Sequence, residues 1–226
     1  MNRNTLLSLI LAICLIPDFA QAQQPASLGY FITDLKGEPL TNKNSRITEG
    51  SPFFSEEWLK GKVLTNDGKS FENLSLRVNL LENQVHFLSD QQAEMTMKED
   101  LRYVYLTDVT KGYNYFFARL GSSCAQSPKS WFQVLDTGNV WLLKLDSRSV
   151  TEIKSYGSAG AEEKIAISVR YYLLRGSDCQ VVKSVQEAYT FLANLKPGFA
   201  EKPAGKSSPR KLEEDLKTLV GSYNQR

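Results

Sequence analysis

The chain has 226 residues, 42% hydrophobic, 23% charged and 11% aromatic, with 27 Lys plus Arg against 25 Asp plus Glu. That length and apolar share support a real core and exclude global disorder. A net charge of +2 leaves no basic surplus for a phosphate backbone, and one histidine with three cysteines leaves little for a zinc site.

Arg3 opens a short positive stretch, and Leu6 to Ile16 is apolar except for Ser8. Pro17 and Asp18 end the run, and Ala20-Gln21-Ala22 has the small-x-small form of a signal-peptidase site. Residues 1–22 therefore read as a secretory signal peptide, too short in its apolar part for a spanning helix. Leu11-Ala12-Ile13-Cys14 resembles a lipobox only loosely, because Ile13 is bulky for the position before the cysteine, so lipid anchoring is set aside. The expected product is secreted or periplasmic, with no transmembrane segment in the mature chain. Export removes Cys14 and leaves Cys124 and Cys179, which in an oxidising compartment are expected to pair.

Residues 23–46 are polar and weakly patterned and read as a partly mobile lead-in. Residues 47–226 read as a single antiparallel β-rich domain. Only Pro128 lies between Phe53 and Lys196, which suits a sheet. Trp58 to Thr65 leads through Asn66-Asp67-Gly68, a hairpin turn, into Leu74, Leu76, Val78 and Leu80, which alternate with polar residues. Val85 and Phe87, Met95 and Met97, Tyr103 and Tyr105, and Tyr113 to Phe117 keep the same period. Trp131 to Leu135 and Val140 to Leu145 flank Asp136-Thr137-Gly138-Asn139, another hairpin signal. Ile165 to Leu173 alternates strictly, and Arg175 to Asp178 turns the chain into Cys179 to Val182. The spacing predicts about nine or ten strands in a meander, curled sheet or partial barrel. Two helices follow. Ser184-Val185-Gln186-Glu187 is a capping box for a helix over about 184–195, and Ser208-Pro209 opens a second over about 209–223. Their apolar stripes are expected to pack on the sheet, giving an α+β, mainly antiparallel fold.

Glu49-Gly50-Ser51-Pro52-Phe53-Phe54, then Trp58, Gly61, Val63, Asp67-Gly68 and Asn79-Leu80, resemble the opening of an uncharacterised family of secreted bacterial envelope proteins. Tyr171-Tyr172-Leu173 and the ending Glu213-Glu214-Asp215-Leu216, Leu219-Val220, Tyr223-Asn224 are similar to that family's close. The resemblance implies a bacterial, periplasmic setting and brings no activity with it. The Pro197 to Pro209 stretch departs from the pattern, where continuous helix is expected.

No catalytic or metal-ligating constellation emerges. Ala200 to Ser207 fits a permissive phosphate-loop pattern, but a helix rather than a strand precedes it and Pro203 removes an amide donor, so it reads as a linker. His86 alternates with Val85 and Phe87 and is expected on a polar, exposed strand face. Glu56-Glu57 and Glu213-Glu214-Asp215 are neighbours in sequence and read as solvated charge rather than as facing catalytic acids. Aromatic pairs remain. Phe53-Phe54, Phe116-Phe117, Trp131-Phe132 and Tyr171-Tyr172 each send rings to both faces of a strand. Phe53, Phe54, Trp58, Tyr171 and Tyr172 are the candidate binding residues, against the plainer expectation of a two-sided core. The leading functional expectation is a non-catalytic envelope interaction module without a cofactor. A carrier of a lipid or other apolar ligand is the alternative, and a hydrolase with a carboxylate site is the third reading.

Overall fold

A computed structural model describes residues 35–39, 47–124, 127–153, 162–199 and 207–225. The signal segment, most of the lead-in and the phosphate-loop pattern lie outside the described residues. β1 (Gly37–Pro39), β2 (Ile47–Glu49), β3 (Leu59–Thr65), β4 (Ser70–Asn79), β5 (Gln84–Leu88) and β6 (Glu94–Met97) are followed by β7 (Leu101–Asp108) and β8 (Tyr113–Ala118). A 3₁₀ turn at Gly121–Cys124 leads to β9 (Phe132–Asp136), β10 (Trp141–Ile153), β11 (Glu162–Arg175) and β12 (Asp178–Val182). Two helices close the chain, α1 (Val185–Leu195) and α2 (Leu212–Asn224).

Among the described residues twelve strands form one sheet in the order β1-β6-β5-β4-β3-β7-β8-β9-β10-β11-β12, with β2 added to β11. Every pairing is antiparallel except β2 with β11. The sheet is open, and the count exceeds the nine or ten strands expected. The two additions are β1 and β2, three residues each, too short to carry an alternation. The second helix also starts later than expected, at Leu212 rather than at residue 209. Lys211 bonds back to the Ser208 carbonyl in a turn, and no side chain caps the helix start. Glu213, Glu214 and Asp215 fill its first turn, where negative charge suits the helix dipole. The capping box of α1 forms: Ser184 Oγ accepts from Glu187 N at 3.2 Å, while the Glu187 carboxylate accepts from Lys183 N.

Among the described residues three apolar clusters form the core. The first, around Val63, Leu76, Val104 and Phe117, is built from β3–β8 and closed by Trp131, just before β9. The second lies between β10–β12 and the helices, joining Leu142 and Leu173 to Leu192, Leu216 and Val220. The third lies on the opposite face of the same strands, where Leu143, Leu145, Tyr172 and Leu174 meet Phe132 and Cys124. The expected two-sided core is therefore present on these strands, and two aromatic pairs divide across it. Trp131 enters the first cluster and Phe132 the third, while Tyr171 borders the second and Tyr172 enters the third. Cys124 and Cys179 form the expected disulfide, with Cα atoms 5.2 Å apart, and tie the 3₁₀ turn to β12.

Two devices fix the ends of this arrangement. Asn224, at the end of α2, accepts from Val140 N at 3.1 Å and donates to the Val140 carbonyl at 2.9 Å. A Cβ at Gly138 would sit 2.5 Å from the Asn224 side chain, so the β9–β10 turn needs glycine to let the helix end approach. The second device is a strap formed by residues 50–58. It leaves β2 at Gly50 (φ +86), where a Cβ would meet that of Ile165 at 2.9 Å. Arg148 of β10 donates to the Ser51 and Phe53 carbonyls, and Phe53 bridges to Asn79 at the end of β4. The strap thus joins two distant parts of the sheet.

Candidate functional sites

Phe53 and Trp58 sit on the strap and enclose one cation. The Arg77 guanidinium of β4 lies 3.9 Å from the centre of the Phe53 ring and 4.3 Å from that of Trp58. It pairs with Glu94 of β6 and donates to the Glu56 carbonyl. Such a stacked, desolvated cation contributes on the order of 2 kcal/mol. Beneath it, His86 Nδ1 lies 3.2 Å from Glu94 Oε1, and Phe53 meets the imidazole edge-on at 5.4 Å. His86 is only 2% exposed, which overturns its expected surface position. The register sets Arg77 opposite His86 and His86 opposite Thr96, on the sheet face that the strap roofs. Burial holds its pKa below the ordinary 6.5, although the Glu94 hydrogen bond and charge pull the other way. Phe54 turns to the other side, edge-on to Tyr115 at 4.8 Å and Phe117 at 4.9 Å. These three strap rings thus have partners within the chain.

Tyr172 is fully buried, edge-on to Phe132 at 5.3 Å. Tyr171 points to the helix side and donates its hydroxyl to Glu213 Oε2 at 3.2 Å. Burial pushes its pKa up to about 12, with the Glu213 charge adding to the shift. Burial acts to raise Glu213, but hydrogen bonds from Lys144 at 2.8 Å and Lys217 at 2.9 Å outweigh it and hold its pKa low. Glu213 is consequently not the solvated charge that its acidic run suggests.

A further group of aromatics was not singled out among the sequence candidates. Tyr103 and Tyr105 of β7 alternate with buried Val104 and Leu106 and emerge on the face of β7 opposite the first cluster. Tyr105 stacks on Phe116 of β8 at 4.6 Å with ring planes 3° apart. Phe116 also meets Tyr103 at 5.4 Å and Trp141 of β10 at 6.3 Å. The four rings form a partly exposed band, flanked by Lys62 over Tyr105 and Arg102 over Tyr103. At one end the band enters an open cleft of about 950 Å³, lined by Tyr103, Trp141, Arg102, Arg119, Lys129 and Asn139 among others. Arg119 is fixed there by its bond to the Asn83 carbonyl and by stacking over Trp131 at 4.4 Å. The sequence signal for this band was the position of Tyr103 and Tyr105 on the face opposite two aliphatics.

Among the described residues no group of three or more His, Cys, Asp or Glu is placed to hold a metal ion. Among the described residues, the carboxylates of Asp67, Asp108 and Glu213 are held below their ordinary range. Asp67 falls to about 2 through hydrogen bonds from Thr65 and Lys69, and Asp108 falls through backbone donation from Lys111. Among the described residues no helix is long and apolar enough to cross a membrane.

Neither family models, nor curated proteins, nor solved structures give a match to this chain. Some of the residues quoted for the envelope-family resemblance fall on the two devices described above, while Gly61 and Val63 lie in β3 and Tyr171 to Leu173 in β11. Glu49 to Phe54 makes the end of β2 and the strap, and Tyr223-Asn224 makes the helix latch.

Proposed function

We propose that this chain is an exported, non-catalytic interaction module of a bacterial envelope, and that it meets its partner with the outer face of β7–β8 and the adjoining cleft. The observation that carries this reading is the band of Tyr103, Tyr105, Phe116 and Trp141: Tyr103, Phe116 and Trp141 pack against the third cluster yet stay partly exposed, and Tyr105 is exposed. Partly exposed aromatics beside cations are the composition of recognition surfaces, where rigid rings supply contact area and polar tips supply direction. Arg102 makes no ion pair or hydrogen bond through its guanidinium, and Lys129 none through its ammonium, among the described residues. Both are therefore available to a partner.

The test is affinity capture from envelope fractions with the processed chain and with an Arg102→Glu, Lys129→Glu variant. A partner held by the first and lost from the second supports the reading; repeated recovery of bare protein from both counts against it. The carrier reading draws on the same cleft, but its open mouth and charged rim favour a macromolecular partner over an enclosed apolar ligand. Native mass spectrometry separates the two, since a carrier retains co-purified lipid.

A further inference from the structure

The two edges of β11 are used differently. β10 pairs along one edge from Glu162 to Leu174 without a break. On the other, β12 takes Tyr171 to Arg175 antiparallel, and β2 takes Glu163 and Lys164 in parallel. Between them, among the described residues, Ile165 to Arg170 has no ladder partner. Gly50 accounts for this gap, because the strap leaves the edge at Ile165 and crosses to Arg148 instead of running on beside β11. An unpaired strand edge presents alternate amides and carbonyls sideways, as a template for another strand.

The side chains of the gap do little to blunt it. Ile167 is 57% exposed and Val169 44% exposed, on the same face. Ser168 and Arg170 occupy the other face, and Arg170 makes no ion pair among the described residues.

The geometry also limits the occupant. Only an extended segment satisfies the edge, and β2 and β12 block it beyond the six residues between them. A second copy's β11 is excluded, because a strand of 14 residues would run into both blocking strands. Short strands already occupy this edge in both directions: β2, of 3 residues, runs parallel, and β12, of 5 residues, runs antiparallel. We propose that Ile165–Arg170 is a strand-addition site for a short extended segment of a partner protein, aliphatic at two alternate positions facing Ile167 and Val169 and acidic beside Arg170. Backbone hydrogen bonds hold the segment, and the alternate side chains select it.

The test uses the processed, disulfide-bonded chain and two capped pentapeptides, Asp-Val-Thr-Val-Ser for antiparallel and Ser-Val-Thr-Val-Asp for parallel addition. Amide shifts and hydrogen exchange are followed by NMR up to about 5 mM peptide, a range suited to so short a segment. One peptide is expected to shift the amides of residues 165–170 and slow their exchange several-fold. The effect is expected to vanish in an Ile167→Lys, Val169→Lys variant, whose exposed positions leave the fold intact by circular dichroism. The proposal is overturned if neither peptide moves these amides, if the double variant responds as the wild type does, or if the free protein already protects them as it protects residues 171–174. Those outcomes leave the cleft reading standing, since it concerns another surface.

Discussion

In the β10–β11 hairpin, the near half joins residues 141–145 to 170–174, and the far half joins 146–153 to 162–169. Both halves alternate, and one face of β11 carries Ile165, Ile167 and Val169 in the far half and Tyr171 and Leu173 in the near half. In the near half, Leu142 and Leu173 lie under the helices while Leu143 and Tyr172 lie in the third cluster, so both faces are covered. In the far half, among the described residues, the strap covers Ile165 while Ile167 and Val169 stay exposed. The difference teaches that alternation marks which residues share a face, whereas burial depends on what reaches that face. Here the reach is set by two helices, the latch at Asn224 and one glycine-initiated strap.

Substitutions can break this contrast, beginning with the largest effect. Replacing Cys124 and Cys179 by serine opens a loop with a sequence separation of 55. The chain-entropy model assigns that loop about 4 kcal/mol, to be read from urea unfolding. The near half depends on this bond because Cys179 pairs with Leu174. Leu142→Ala is next, at about 3 kcal/mol, since it leaves a cavity between sheet and helices. Arg148→Ala removes the donor to the Ser51 and Phe53 carbonyls and is expected to cost about 2 kcal/mol. It should also raise proteolysis at the strap before any loss at the helices. A smaller effect follows from His86. Its folded pKa lies below the unfolded value of 6.5, so its contribution is fully present above that pH and is lost as pH falls through the folded value. His86→Leu should flatten that acid-side slope in unfolding midpoints compared across the range. Ile167→Ala is expected to change stability by less than about 0.5 kcal/mol, and a loss like that of Leu142→Ala would show that the far half is covered in solution.

Much of the fold was legible in the residues. The Asn66-Asp67-Gly68 and Asp136 to Asn139 turns, the capping box at Ser184 and the cysteine pair all act as local chemistry dictates, because each needs only neighbouring residues or one compartment argument. β1 and β2 were not legible, since three residues carry no period and their pairing is decided by distant strands. His86 was misplaced for a related reason. Its strand has a polar side by pattern, and only the arrival of the strap, with Phe53 and Arg77, turns that side into an interior. The candidate rings divided likewise. Phe53, Phe54, Trp58 and Tyr172 have partners inside the protein, while Tyr103, Tyr105 and Trp141, passed over among many aromatics, line the open surface.

The strap also bears on how the chain reaches its native state. Its bonds to Arg148 span 97 and 95 positions, and Thr48 reaches the Glu163 carbonyl across 115. Contacts of such separation carry a large loop-closure entropy and slow a folding nucleus that includes them. The β3–β4 hairpin, which follows the strap directly in sequence, requires no such closure. The strap is therefore expected to dock after β10 and β11 have paired, although it precedes them in the chain.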